Sequence, residues 1–205
     1  MKLFGDKREK PEKEEAEKNG DHFRCDPGKE NMAMVLRKEI PLHIHAHRSD
    51  DICTAIRIAK EYDIRIVIVH CTDGIDIAEH IAASGFPAIV GPSMNPCSKQ
   101  EVWNKSFETA GILNRAGVKV CITADHDVTP LYYLPIYAAM AVRFGMDDAE
   151  ALRAVTSYPA EILGIDDRKG ALVSGKDADL VIWSHHPFDI HAKAEHVFIE
   201  GKQEC

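Results

Sequence analysis

Four short apolar runs, each followed by a stretch of helical periodicity, constrain this chain more than any other feature. They lie at residues 41–47, 65–69, 88–90 and 118–123. The second run is almost entirely β-branched and ends in His70, as suits a strand covered on both faces of a parallel sheet. Behind the first run, Ser49, Asp50 and Asp51 offer a cap and first-turn carboxylates. Ile52, Ala55, Ile56 and Ala59 then recur at the spacing of one helix face. Ile77, Ala78, Ile81 and Ala82 mark a second helix stopped by Gly85. Trp103, Phe107 and Ala110 mark a third, closed by Gly117. Two more are predicted at 134–144 and 147–157, the latter with Asp147 and Glu150 in capping-box spacing. Strand and helix alternating in this way give an α/β fold with parallel strands and right-handed crossovers. Four strands cannot close an eight-stranded barrel, which takes about 250 residues. The expected architecture is therefore a partial TIM (β/α) barrel.

The flanks read differently. Residues 1–40 hold ten basic and ten acidic side chains, and the first twenty offer only Met1, Leu3, Phe4 and Ala16 as apolar residues. Such a segment buries too little to offset the entropy of ordering itself. It is expected to be a charged lead, partly disordered or helical, with a short helix at 31–38 feeding the first strand. Runs at 170–173, 178–183 and 196–201 read as antiparallel strands between turns. The expected division is thus a lead (1–40), a partial barrel (41–165) and β-sandwich strands (166–205).

Several partners and compartments are disfavoured. A net charge of −8 argues against nucleic acid, whose phosphates favour a basic face. The longest apolar run, at 131–142, spans twelve residues, too few to cross a bilayer, so no membrane partner is expected. No apolar stretch follows Met1 in the manner of a secretory signal, and the six cysteines are scattered without a CxxC pair. A cytoplasmic protein with reduced thiols is expected.

The chemistry gathers where the runs end. Side chains alternate along a strand, so His43, His45 and His47 share one face of the first. Imidazole nitrogens suit zinc and related ions, though each histidine taken singly could be a satisfied core or loop residue. His70 closes the second run and Asp125 follows the fourth. A polar group there needs a partner, and a carboxylate needs a cation or a helix to cap. Strand ends of a parallel barrel meet at one mouth, so His45, His70 and Asp125 form a candidate metal site. Asp125 could also move a proton. His47 and His126 are candidates for facing substrate or supporting the ligands. Glu79, His80, His185 and His186 read as surface, and Cys71 as a small buried hydrophobe rather than a soft ligand.

The stretches EIPLHIHAHRSDDICTAIRIAKEYDIRIVIVHCTDG, LNRAGVKVCITADHDV and PAEILG followed by GKDADLV resemble the metal-dependent amidohydrolase superfamily, in its imidazolonepropionase-related and prolidase-like branch. The resemblance covers residues 36–205. It implies a distorted TIM barrel with a small β-sandwich. His45, His70 and Asp125 then correspond to the ligands that end the fifth, sixth and eighth barrel strands, with Asp125 also the proton carrier. It further implies zinc-assisted hydrolysis of carbon–nitrogen bonds other than peptide bonds, on a small amide-like substrate. The H-x-H pair that ends the family's first barrel strand, and its strand-4 ligand, have no counterpart here. One divalent ion, zinc above others, is therefore expected rather than two. The expected enzyme acts as part of a longer chain or an assembly, whether a homo-oligomer or a pairing with a complementary chain. The alternative is a catalytically inactive half-barrel fragment or metal-binding remnant.

Overall fold

The computed structural model describes residues 26–204 and sets the four apolar runs side by side. Strands β1 (Leu42–Ala46), β2 (Ile66–His70), β3 (Ala88–Val90) and β4 (Val120–Ile122) form one parallel sheet in the order β1-β2-β3-β4. Helices α2 (Ser49–Tyr62), α3 (Ala78–Ser84) and α4 (Glu108–Arg115) make the crossovers, and α1 (Pro27–Leu36) precedes β1. After β4 come α5 (Leu134–Arg143), α6 (Asp148–Ala154) and α7 (Ser157–Leu163). The register accounts for where the core lies. Ile44, Ile68, Ala88 and Val120 align across the sheet, as do Ala46, Val90 and Ile122. This face packs against Ile52, Ile56, Ile81, Leu113, Tyr137 and Ala151 from the helices. Each fully buried aliphatic side chain there contributes about 1.5–3 kcal/mol. The opposite face, with His43, His45, Val67, Val69, Ile89 and Cys121, stands outside that cluster.

Helix ends follow their local chemistry. The Asp26 side chain accepts from the Gly28 amide at 2.9 Å, and Pro27 occupies the first turn. This starts α1 ahead of the expected 31–38. Asp147 Oδ1 accepts from the Glu150 amide at 3.1 Å, as the capping spacing implies. Arg48 precedes α2 without a side-chain cap bond, so Ser49 opens the helix rather than capping it, with Asp50 and Asp51 in the first turn. Gly85 ends α3 in the left-handed conformation.

Three expectations need correction. Trp103 lies ahead of α4 and is exposed, because Ser106 Oγ accepts from the Glu108 amide at 3.1 Å and starts the helix later. The single helix expected at 147–157 is two: α6 stops at Ala154 and α7 begins at Ser157, with Pro159 in the first turn where its missing N–H costs little. Residues 170–173 form no strand; Leu172 is 74 % exposed and turn bonds run from the Lys176 amide to Val173 and from the Asp177 amide to Arg168. Gly170 (φ +88°) brings that turn against α7, where a Cβ would lie 2.7 Å from the Ala160 Cβ. The C-terminal strands are instead β5 (Leu180–Trp183), β6 (Ala194–Ile199) and β7 (Lys202–Gln203), a three-stranded antiparallel sheet in that order. The charged lead expected ahead of residue 26 lies outside the described residues.

Candidate metal centre

The ends of β1 and β2 build this site. Register pairs His45 with Val69, so unbroken alternation puts His70 on the face opposite His45. The backbone breaks that alternation: His70 (φ +73°) and Cys71 (φ +50°) are both left-handed. The conformation is uncommon for residues other than glycine and costs on the order of 1 kcal/mol or more. With it, the His45 and His70 ring centroids stand 4.3 Å apart. The two strand exits are also tied together, the Cys71 amide donating to the Ala46 carbonyl at 3.0 Å and the Asp73 amide to His47 at 2.8 Å.

His47 completes a group of three. One donor nitrogen from each of His45, His47 and His70 lies within 4.8 Å of the other two, and no other such group occurs among the described residues. His47 and His70 are buried, with rings stacked at a 4.8 Å centroid separation, whereas His45 is exposed. His70 Nδ1 sits 2.7 Å from the Gly91 carbonyl. A carbonyl only accepts, so Nδ1 carries a proton, and in the neutral ring Nε2 then keeps the lone pair. His47 Nδ1 is likewise held by Thr72 Oγ1 at 2.7 Å. Such partners behind a metal-binding histidine fix its orientation. Gly91 (φ +123°) is the residue this requires, because a Cβ there would lie 2.4 Å from the Thr123 carbonyl oxygen.

The electrostatics favour the neutral form of the His45 and His47 rings. Burial, then the nearby His70 and His45, lowers the His47 pKa to about 4. Burial and His70 also lower that of His45, against the opposing pull of Glu101 and Asp125. A depressed histidine pKa means the unfolded chain binds protons that the folded one refuses. Stability without metal should therefore fall as pH drops below about 6.5, levelling near 4 where His47 titrates in the folded state. The expected loss is roughly 1–3 kcal/mol. Urea midpoints between pH 7 and 4.5 check this, and His47→Asn should flatten the slope.

Three imidazoles with free lone pairs, two of them oriented from behind, fit a zinc-like ion. His47, expected to face substrate or to support the ligands, is itself one of the three. His43 is exposed and outside the group. Asp125, just past β4, is left-handed at φ +52° and donates its amide to Thr123 Oγ1 at 3.0 Å. Its carboxylate is not among the three clustered donors, yet its charge acts on His45. His126 is exposed, as are Glu79, His80, His185 and His186. Burial pushes the Cys71 thiol up to about 12, which suits a core side chain and not a ligand. Glu101, whose Oε1 lies 3.9 Å from His47 Nε2, carries no sequence signal beyond an acid in a polar connection.

Comparison with known proteins places the chain in a family. The model of the amidohydrolase family matches residues 32–203. An imidazolonepropionase from Brucella suis biovar 1 is 31% identical over 166 residues, covering 80% of this chain and 38% of its own. The crystal structure of an amidohydrolase from Thermotoga maritima MSB8 superposes with a TM-score of 0.87 at 42% identity, over 97% of this chain and 52% of that one. An adenosine deaminase from Xanthomonas campestris, solved with bound zinc, is 25% identical with a TM-score of 0.59, over 80% of this chain and 45% of that one. The chain thus spans about half or less of the length of these relatives. By the extent of the family match and by its resemblance to known members, this chain belongs to the amidohydrolase family.

Proposed function

We propose that residues 41–165 are the half of an amidohydrolase barrel that carries strands five to eight, with 166–205 contributing to a β-sandwich. In this reading the chain serves the hydrolysis of a carbon–nitrogen bond in a small amide or cyclic amide. The single observation that carries it is the convergence of His45, His47 and His70 at the C-terminal ends of parallel strands, where barrel enzymes place their chemistry. His45 and His70 hold one divalent cation, zinc above others, with Asp125 as the carboxylate ligand expected from sequence and His47 as a third imidazole in reach. A bound divalent cation polarises a carbonyl and makes water a stronger nucleophile at neutral pH. Asp125 accepts the proton from the attacking water at its carboxylate and returns it to the leaving nitrogen. His126, exposed one residue beyond, faces substrate or supports the ligands in this reading.

The sheet favours an assembled form. β1 and β4 each have one edge without a strand partner among the described residues, and bare edges invite pairing with another chain. A complementary barrel half or a second copy would supply that pairing. The same edges support the second reading, a metal-binding half without turnover. The free thiols of Cys53, Cys71, Cys97 and Cys121 are consistent with a cytoplasmic setting, and no described helix is long and apolar enough to cross a membrane.

Elemental analysis and turnover of small cyclic amides test the function, on the chain alone and mixed with a complementary barrel half. Asp125→Asn should lower turnover by about 10²–10⁴ while leaving the melting temperature near that of the parent. Stoichiometric zinc without turnover in any assembly would favour the second reading; no bound metal would end both.

A further inference from the structure

Between β3 and α4 the chain makes a 3₁₀ turn, Gln100–Val102, that brings a carboxylate to the mouth of the imidazole group. Glu101 Oε1 lies 3.9 Å from His47 Nε2, the nitrogen left open when Nδ1 is engaged by Thr72. That separation is too long for a hydrogen bond. Two tetrahedral ligands of one zinc ion stand about 3.3 Å apart, given bond lengths near 2.0–2.1 Å. The Glu101 carboxylate is therefore within a small side-chain rotation of sharing an ion with His47. The same oxygen is ion-paired to Lys99 Nζ.

The turn is anchored while the carboxylate is not. Val102 is buried, and the Val102 and Trp103 amides donate to the Lys99 and Gln100 carbonyls at 3.1 Å each. Asn104 Nδ2 donates to Asp73 Oδ1 at 3.0 Å, tying the connection to the residues that leave β2. Lys105 Nζ donates to Asn95 Oδ1 at 2.7 Å and closes the loop on itself. The Glu101 side chain, by contrast, is over a third exposed. The charges of Glu101 and Lys99 both act on His45 and His47, in opposite directions. Both groups thus face the site.

We propose that Glu101 is a reserve carboxylate ligand of this centre, which leaves Lys99 and joins His47 on a divalent cation when one enters. Lys99 is the competitor that occupies the carboxylate in the cation's absence. In this reading Glu101 helps retain the ion and Asp125 moves the proton. This inference rests on reading the three histidines as a metal centre.

Zinc titration of the purified full chain against a chromogenic chelator tests it, with cobalt absorption reporting the ligand set. Glu101→Gln should weaken zinc binding about 10- to 100-fold and alter the cobalt bands, with the metal-free melting temperature unchanged. Lys99→Met should tighten zinc binding about two- to fivefold, the scale of an exposed ion pair. That gain should vanish in the double variant. Parent-like zinc affinity and cobalt bands in Glu101→Gln would overturn the proposal. So would a Lys99→Met gain that persists in the double variant, which marks simple charge repulsion. In either case, zinc binding that is still lost in His70→Ala leaves the histidine centre standing. If the unaltered chain binds no zinc, that centre fails and Glu101's role with it.

Discussion

Replacing His70 with alanine should lower zinc affinity on the order of a thousandfold, the largest effect on metal binding expected in this chain. The ring supplies an Nε2 lone pair that is already oriented, because Nδ1 is committed to the Gly91 carbonyl at 2.7 Å. The adjacent Cys71 is a poor substitute, since it is buried and its thiol is pushed up to about 12. Alanine also leaves the Gly91 carbonyl without its donor in a buried setting. Some loss of thermal stability should accompany the loss of metal. Equilibrium dialysis with zinc, beside melting curves with and without the ion, separates the two effects. Retention of parent affinity in His70→Ala would remove this ring from the site.

Gly91→Ala should be the most damaging substitution that touches no ligand. At φ +123° with a Cβ position 2.4 Å from the Thr123 carbonyl oxygen, any side chain forces the backbone to move. That movement pulls away the carbonyl that orients His70 and strains the exit of β4. A destabilisation of about 2–4 kcal/mol is expected, together with a roughly 10- to 100-fold loss of zinc affinity from the misdirected imidazole. Chemical denaturation and chelator competition measure the two losses. A variant with unchanged stability would mean that the β3–β4 exits can relax at no cost.

Much of this was legible in the residues because the signals were local. Apolar runs with helical stretches between them place four parallel strands, and Asp147 with Glu150 marks a helix start. His45 and His70 were legible as strand-end histidines, and they do meet. What was not legible depends on backbone geometry or on contacts distant in sequence. Alternation alone sends His70 away from His45; only the left-handed step at His70 and Cys71 brings it back. Nothing local in the sequence marks Gly91, whose value lies in an approach to Thr123 over thirty residues further on. Glu101 sits in a polar connection like many others until a turn aims it at His47. Gly170-Ala171-Leu172-Val173 has strand composition, but two left-handed glycines, Gly170 and Gly175, bend it into a turn. The helix expected at 147–157 breaks after Ala154, and Pro159 sits in the opening turn of the next.

The one-sided packing of β1 to β4 has a consequence for how such a protein can diversify. Its aliphatic interior forms between the sheet and the helices and runs on into the strand exits through Ala46, Cys71, Val90 and Ala124. His47 and His70 are themselves buried. Changes at the exits therefore act on folding and chemistry together. A lineage has more freedom where the connections reach solvent, as at His126 and Asp127, which are exposed.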